Sequence, residues 1–189
     1  MRMPALSIGE FSVERVLDFE GPFLDPVEFF HDFDPGVLDE ARAQGMEIEL
    51  VQGLIPMSFH SFVLRTKRSV IVIDTCFGNG KERPGRPPGH QARTDYLGNL
   101  WRAGLRPEDV DYVMCTHLHW DHVGWNTRLS NGKWVPTFPN ARYLIARDEY
   151  AYWDDLHRGP ARNLHTRALE DSILPLADAG QLSLVRDDF

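Results

Sequence analysis

The sequence predicts an α/β fold, and three observations support that prediction. A β-branched run at 70–73 and an apolar run at 110–116 are typical of buried strands. The segment between them carries an apolar stripe at helical spacing, so strand, loop, helix and strand follow one another. Strands joined by such a crossover lie parallel in one sheet. The length of 189 residues predicts a single domain spanning 1–189.

The other elements follow from local signals. Glycine and proline mark loops, alternating or β-branched runs mark strands, and Asn-Gly is typical of a tight hairpin turn. In the first half of the chain we predict strands at 59–66 and 70–73 joined as a hairpin, a loop at 76–93, a helix at 94–105 capped by Thr94, and a strand at 110–116. In the second half we predict a hairpin around Asn131-Gly132, a strand at 141–146, a helix capped by Asp148, a helix at 161–174 and a strand at 182–185.

Composition excludes several classes of protein. Hydrophobic residues make up 42% and charged residues 25%, which is typical of folded globular chains. The net charge of −8 argues against nucleic-acid binding, which depends on neutralising phosphates. The sequence has neither the apolar run of about 18 residues that spans a membrane nor the apolar stretch of a secretory signal at its start. We therefore expect neither a nucleic-acid nor a membrane partner.

The two cysteines, Cys76 and Cys115, do not form a disulfide framework. A chain with so few cysteines fits a reducing compartment, so we expect a cytoplasmic location. Both cysteines end predicted strands, and we expect them to be small buried hydrophobic residues.

The segment from about 1 to 50 is predicted to be an acidic N-terminal arm. Residues 14–49 hold eleven acidic and two basic side chains, together with five phenylalanines. The simpler interpretation is a solvated acidic surface anchored by the aromatic rings. The alternative is an arm that lines a pocket or docks a second subunit, in which case the partner is a second copy in a homodimer.

Four candidate metal ligands follow the strand at 110–116. His117 and His119 are two residues apart, so in an extended chain they point to the same side and can close on one cation. Asp121 and His122 follow where the strand ends and can reach a second cation. Imidazole and carboxylate suit zinc, and also iron or manganese. Binding sites of open α/β sheets lie at this end of the strands, so the sequence predicts a two-cation site.

The segment HLHWDH at 117–122 resembles the His-x-His-x-Asp-His motif of the metallo-β-lactamase superfamily. Residues 70–75 resemble the preceding strand of that family, whose terminal aspartate, here Asp74, supports the metal site. Similarity at 76–81, 116–126 and 140–144 is typical of the branch containing quorum-signal lactonases and organophosphate hydrolases. The resemblance implies a metallo-β-lactamase-like αβ/βα sandwich, of which this chain has the first half and the start of the second.

The resemblance also implies an activity. By this resemblance, His117 and His119 bind a first metal ion, and Asp121 and His122 bind a second. Both ions are expected to be Zn²⁺. A hydroxide held by the metals would then attack a small lactone, ester or organophosphate, with Asp121 orienting the nucleophile. Paired metals suit this reaction because they lower the pKa of water to about 7 and polarise the electrophile.

One departure from the family concerns the remaining ligands, which are a third histidine, a bridging aspartate and a last histidine. After His122 the sequence has His157 and His165, neither in the family's context, and we expect both on helix surfaces. We therefore expect the chain to end before its remaining ligands, to bind metal weakly, and to be poorly soluble or oligomeric because the strand at 70–73 is left uncovered. Two alternatives stay open: an iron-dependent oxygen or persulfide enzyme, and a non-catalytic binding protein.

The loop at 76–93 is basic. It contains Lys81, Arg83, Arg86 and Arg93. These cations are expected either to be solvated or to steer an anionic substrate.

Overall fold

The computed structural model describes residues 5–46, 49–160 and 162–186. It divides into two compact units. Unit 1 consists of Met1–Asp18 and Phe59–Phe189, and unit 2 of Phe19–Ser58. The assignment of 1–189 to one domain stays a prediction.

A seven-stranded mixed sheet organises the fold, and a two-stranded hairpin accompanies it. In spatial order the sheet contains β1 (Leu6–Ile8), β2 (Phe11–Leu24), β3 (Ile55–Arg65), β4 (Val70–Ile73), β5 (Tyr112–Met114), β8 (Arg142–Ala146) and β9 (Leu182–Val185), and the hairpin contains β6 (Thr127–Ser130) and β7 (Lys133–Pro136). β1 and β2 are antiparallel, as are β3 and β4, whereas β4, β5, β8 and β9 run parallel.

The parallel strands confirm the predicted βαβ unit. Val72 of β4 lies opposite Val113 of β5, which in turn lies opposite Tyr143 of β8. All three side chains are fully buried and form the centre of the core. β4 is flanked by β3 and β5, so the expectation that the strand at 70–73 is left uncovered is wrong. Its backbone groups are paired on both sides.

The helices of unit 1 are α3 (Tyr96–Arg102), α4 (Arg147–Arg158), α5 (Leu164–Ser172) and α6 (Leu174–Asp178). Two predicted caps are wrong. Asp95 holds the cap position of α3, because the Thr94 hydroxyl donates to the carboxylate of Asp18 instead. Asp148 lies in the first turn of α4 instead, where the positive end of the helix dipole stabilises its carboxylate.

The predicted helix at 161–174 is two helices, α5 and α6, which meet at Ile173. Pro175 explains the break, because it lacks an N–H for the continuing helix and restricts the residue before it. The hairpin prediction is confirmed, since Asn131 and Gly132 have φ values of 50° and 75° between β6 and β7. Both values fit a type I′ turn.

Both cysteines are free and buried, as expected. Burial raises the pKa of Cys76 well above its ordinary value and that of Cys115 to about 12, so neither is a thiolate near neutral pH. None of the helices in the described ranges is long and apolar enough to cross a membrane. The cytoplasmic location stays a prediction.

Unit 2 contains α1 (Pro26–Phe29), α2 (Gly36–Ala43) and an open cavity of about 1440 Å³. The cavity lining is mainly apolar and includes Phe30, Phe33 and Leu38, with Arg42 among its charged members. This favours the pocket-lining alternative for part of the acidic arm. The homodimer stays a prediction.

The acidic arm is not a solvated surface throughout, because its first acids are buried in unit 1. Glu14 is 5% exposed and Asp18 is 6% exposed. Asp18 accepts hydrogen bonds from the Phe77 amide (3.0 Å) and the Trp125 indole (3.1 Å). Burial raises the pKa of Asp18, against the effect of these hydrogen bonds. This carboxyl joins β2 to the loop after β4 and to the turn after the histidine motif.

Candidate metal centre

The histidine motif lies on the loop that follows β5, at the carboxyl end of the parallel strands. The Leu118 amide donates to the Glu149 carboxylate (2.8 Å), which ties the loop to α4. The His122 amide donates to the His119 carbonyl (3.0 Å) and closes a turn. The Thr75 amide then donates to the His122 carbonyl (2.6 Å), so the motif is anchored to the end of β4 as well.

Four imidazole rings form a row at this strand end. The ring centres of His122 and His117 are 4.0 Å apart, those of His117 and His119 are 4.5 Å apart, and those of His119 and His165 are 4.1 Å apart. The structure therefore brings the three predicted motif histidines together. It also adds a fourth, His165, which the sequence analysis placed on a helix surface.

Asp74 lies where it was predicted, at the end of the strand beside and parallel to β5. Its Oδ1 accepts from the Thr116 amide, and its Oδ2 accepts from the Thr116 hydroxyl and lies against His122 Nδ1, each at 2.8 Å. Burial opposes ionisation, but the hydrogen bonds from His122 and Thr116 prevail and lower the pKa of Asp74. The carboxylate therefore holds the orientation of the His122 ring.

Asp121 stands at the other side of the same ring. Its Oδ2 is 3.6 Å from His122 Nε2. Burial favours the neutral ring, but the hydrogen bond to Asp74 and the charge of Asp121 together raise the pKa of His122. The Asp121–His122 pair therefore presents a carboxylate and an imidazole next to each other, and its role at a second cation stays a prediction.

Two other rings of the row, His117 and His165, have lowered pKa values. Burial, followed by the neighbouring His122 and His119 rings, lowers the pKa of His117. Burial and the neighbouring His119 ring lower the pKa of His165 to about 4. Both rings are therefore neutral near pH 7, and neutral imidazole is the form that binds metals.

The surface position predicted for His165 is wrong, because α5 turns it inward. Its ring packs on His119 and on Trp153, whose ring centre is 4.9 Å away. The Trp153 indole in turn donates to Glu149 (2.8 Å). No sequence signal joins α4 to α5 in this way. His157, by contrast, lies 3.5 Å from Glu170 and takes no part in the row.

The donor set fits a divalent cation, although the side chains are not arranged around one point. No group of three His, Cys, Asp or Glu side chains within 5–46, 49–160 and 162–186 has the geometry to hold a metal ion. The chemistry of the cluster nevertheless matches, since imidazoles and carboxylates are ligands of zinc, iron and manganese. One buried nitrogen, His165 Nδ1, also has no hydrogen-bond partner among the described residues.

The backbone at Gly124, just after the histidine motif, packs closely against the backbone of the loop that follows β4. Gly124 packs so tightly against the loop after β4 that a Cβ there would lie 1.8 Å from the carbonyl carbon of Phe77. The Gly124 amide donates to the Cys76 carbonyl (2.7 Å) across this contact. Only glycine fits, so the two loops are held in register at the site.

Two of the four cationic side chains in the basic loop at 76–93 are buried and not solvated. The side chains of Lys81 and Arg83 are 0% exposed. Arg83 donates two hydrogen bonds of 2.8 Å to Asp171 of α5, and Lys81 Nζ lies 3.3 Å from the same carboxylate. This cluster of Lys81, Arg83 and Asp171 fixes α5, and with it His165, against the loop at 76–93. Sequence reasoning missed it because the partners are far apart in the chain.

The comparison with protein families agrees with this geometry. The family model described as "Metallo-beta-lactamase superfamily" matches residues 56–187. The chain belongs to the metallo-β-lactamase superfamily. Its predicted α/β fold of metallo-β-lactamase type is thereby confirmed.

The relatives that the chain matches include proteins named as lactonases and as a hydrolase. The chain is 31% identical over 110 residues to the N-acyl homoserine lactonase AttM of Azorhizobium caulinodans, a match that covers 52% of this chain and 37% of AttM. The crystal structure of the hydrolase AbOPH superposes with a TM-score of 0.74 at 22% identity, covering 98% of this chain and 61% of AbOPH. The structure of AidC, named as a dizinc quorum-quenching lactonase, gives 0.65 at 19% identity, covering 98% of this chain and 62% of AidC.

These structural likenesses show the fold. The matched part of AttM is well under half of that protein, and the chain spans about three fifths of the length of AbOPH and AidC. The activity, substrate and partners of the whole protein are therefore matters for proposal.

Proposed function

We propose that this chain provides the cation-binding part of a metal-dependent hydrolase that acts on a small lactone, ester or organophosphate. The observation that carries the proposal is the row of imidazoles, flanked by Asp74 and Asp121, at the carboxyl end of β4 and β5. A lactone is the favoured substrate, because AttM is named as a lactonase. Zinc is the favoured metal, because AidC is named as a dizinc enzyme.

Each residue of the site has a role in this proposal. His117 and His119 would hold one cation, and Asp121 and His122 a second. When bound, such cations polarise a carbonyl or phosphoryl oxygen and lower the pKa of water. In the neutral form of His122, the hydrogen bond to Asp74 places the ring proton on Nδ1 and leaves Nε2 free to bind a cation. The Asp121 carboxylate can accept a hydrogen bond from the attacking water and so orient it.

The test is hydrolysis by the purified chain loaded with zinc, manganese or iron. Turnover of N-hexanoyl homoserine lactone is followed by proton release, and turnover of paraoxon by release of p-nitrophenol. His119→Ala should lower lactone turnover at least about 100-fold, because the loss of a ligand exceeds the 10–100-fold effect of losing an outer hydrogen bond. His157→Ala is the matched control, since His157 pairs with Glu170 away from the row, and it should leave turnover unchanged.

Two outcomes contradict the proposal. Iron in the protein as purified, with oxygen or persulfide consumption and no lactone turnover, would assign the chain to the iron-dependent alternative. Tight metal binding without turnover of lactone, ester or paraoxon would favour a binding protein. The same assays on a form extending beyond Phe189 test the expectation that further metal ligands follow this segment.

A further inference from the structure

The backbone of Asp74 has a conformation that the proposed function does not explain. The ladder between β3 and β4 has Phe62 and Ile73 as its last pair, and the next residue, Asp74, has a φ of 54°. Residues other than glycine seldom adopt this left-handed conformation, although aspartate tolerates it better than most. Because the conformation costs free energy, it persists only where the surrounding structure holds it. The contacts of Asp74 should therefore contain the group that holds it.

The backbone groups of Asp74 bond to two different strands. Its amide donates to the Met114 carbonyl of β5 (3.0 Å), as a strand residue would. Its carbonyl accepts from the hydroxyl of Ser61, a residue of β3, at 2.6 Å. The Ser61 side chain therefore supplies this carbonyl with a donor at the point where the β3–β4 ladder has ended. Both backbone groups of Asp74 are thus satisfied while the chain turns away from β4.

The Ser61 hydroxyl is in turn held by Tyr96, the first residue of α3. The two oxygen atoms are 2.5 Å apart, and both side chains are 0% exposed. A carbonyl can only accept, so the single hydroxyl proton of Ser61 goes to Asp74, and the phenol of Tyr96 donates to Ser61. Burial raises the pKa of Tyr96 well above its ordinary value, so the phenol keeps the proton that it donates. The hydrogen bonds therefore run in one direction, from Tyr96 through Ser61 to Asp74.

The side chain of Asp74 carries this order into the candidate site. Its carboxylate accepts from the amide and the hydroxyl of Thr116 and from Nδ1 of His122, each at 2.8 Å. The direction in which a side chain leaves the backbone depends on the backbone conformation. A return of Asp74 to an extended conformation would therefore take the carboxylate away from these partners.

We propose that Ser61, oriented by Tyr96, is a positioning residue that holds Asp74 in its left-handed conformation and thereby fixes the ring of His122. The inference rests on the proposed function for its meaning, because Asp74 and His122 belong to the same candidate site. A role limited to joining α3 to β3 would need the bond between Tyr96 and Ser61 alone, and would leave the His122 ring unaffected by the loss of the Ser61 hydroxyl.

The experiment uses the metal-free chain and the proton position on the His122 ring. Long-range ¹H–¹⁵N spectra of ¹⁵N-histidine-labelled protein, at a pH where the ring is neutral, give the ratio of the form protonated on Nδ1 to the form protonated on Nε2. We expect Nδ1 to carry the proton in wild type. Ser61→Ala should lower this ratio about 10-fold, the effect of one hydrogen bond of ordinary strength, and Tyr96→Phe should lower it less.

The matched control is Thr137→Val. The Thr137 hydroxyl is also buried, but it has no hydrogen-bond partner among the described residues, so its loss should leave the ratio at the wild-type value. A wild-type ratio in Ser61→Ala, a ring protonated on Nε2 in wild type, or an equal change in Thr137→Val would each overturn the inference. If Ser61→Ala does not fold, Tyr96→Phe decides, because it removes only the phenol oxygen and keeps the ring stacked on Trp125; an unchanged ratio there would overturn the inference.

Turnover separates this inference from the proposed function. Ser61→Ala and Asp74→Asn should each lower lactone turnover about 10–100-fold, as expected for groups that orient a ligand. The double variant should be no slower than Asp74→Asn, because both changes act through one carboxylate. Multiplied losses in the double variant would overturn the inference. Absence of turnover in wild type, with the ratio changed in Ser61→Ala, would overturn the hydrolase and support the positioning role.

Discussion

Replacing Asp171 by asparagine tests the buried cluster that positions α5. The carboxylate of Asp171 is the partner of both Lys81 and Arg83, whose side chains are fully buried. Asparagine keeps the shape but removes the negative charge, and its NH₂ group would face the donors of Arg83. The Arg83 guanidinium would then be left buried without a counter-charge, and Lys81 would lose its charged partner.

The expected loss of stability is large. Removing one partner of a buried ion pair costs about 3–5 kcal/mol, because the remaining charge stays desolvated without compensation. For a chain of this size, 1 kcal/mol shifts the melting temperature by about 2–4 °C, so Asp171→Asn should melt about 6–20 °C below wild type. Urea unfolding followed by circular dichroism measures the free energy, and a thermal scan measures the shift.

The matched control is Asp95→Asn, which breaks the exposed pair between Asp95 and Arg102. Exposed pairs contribute about 0–1 kcal/mol, so this variant should unfold close to wild type. The reasoning is refuted if Asp171→Asn loses no more stability than Asp95→Asn. If Asp171→Asn does not fold at all, the combination of Lys81→Met, Arg83→Met and Asp171→Leu should restore folding, because apolar side chains of similar volume can replace a buried ionic cluster.

Three further predictions concern the site and its support. Asp74→Asn should weaken zinc binding about 10–100-fold in a chelator competition, because the ring of His122 loses its charged partner; unchanged affinity would contradict this. Gly124→Ala should strongly destabilise the fold in urea, since its Cβ would lie 1.8 Å from backbone, whereas Gly159→Ala, with 3.3 Å to the nearest atom, should not. Burial lowers the pKa of Lys81 to about 7, so above that pH the unfolded chain binds more protons than the folded one. Between pH 7 and about 9 the unfolding free energy of wild type should therefore rise relative to that of Lys81→Met; parallel curves would contradict this.

The amino-acid sequence by itself determined the central part of the fold and the motif histidines. The pairing of β4 with β5 follows from two apolar runs joined by a helical crossover, and His117, His119 and His122 follow from their position just after the second run. Asp74 was predicted from the resemblance of residues 70–75 to the metallo-β-lactamase family, and the pairing of β4 with β5 brings it to the same edge as the histidines. The strands and the motif histidines are local in sequence, so periodicity and spacing were sufficient to predict them.

Only the tertiary structure decided which distant side chains join that core. Lys81 and Arg83 are 90 and 88 residues from Asp171, and they are buried where a basic loop predicted exposed cations. His165 reaches His119 because α5 packs beside α4, and the sequence pattern of α5 marks its apolar side without naming its neighbour. Hydrophobic periodicity predicts which face of a helix or strand is buried. The residues that meet across those faces depend on how the connecting loops orient each helix.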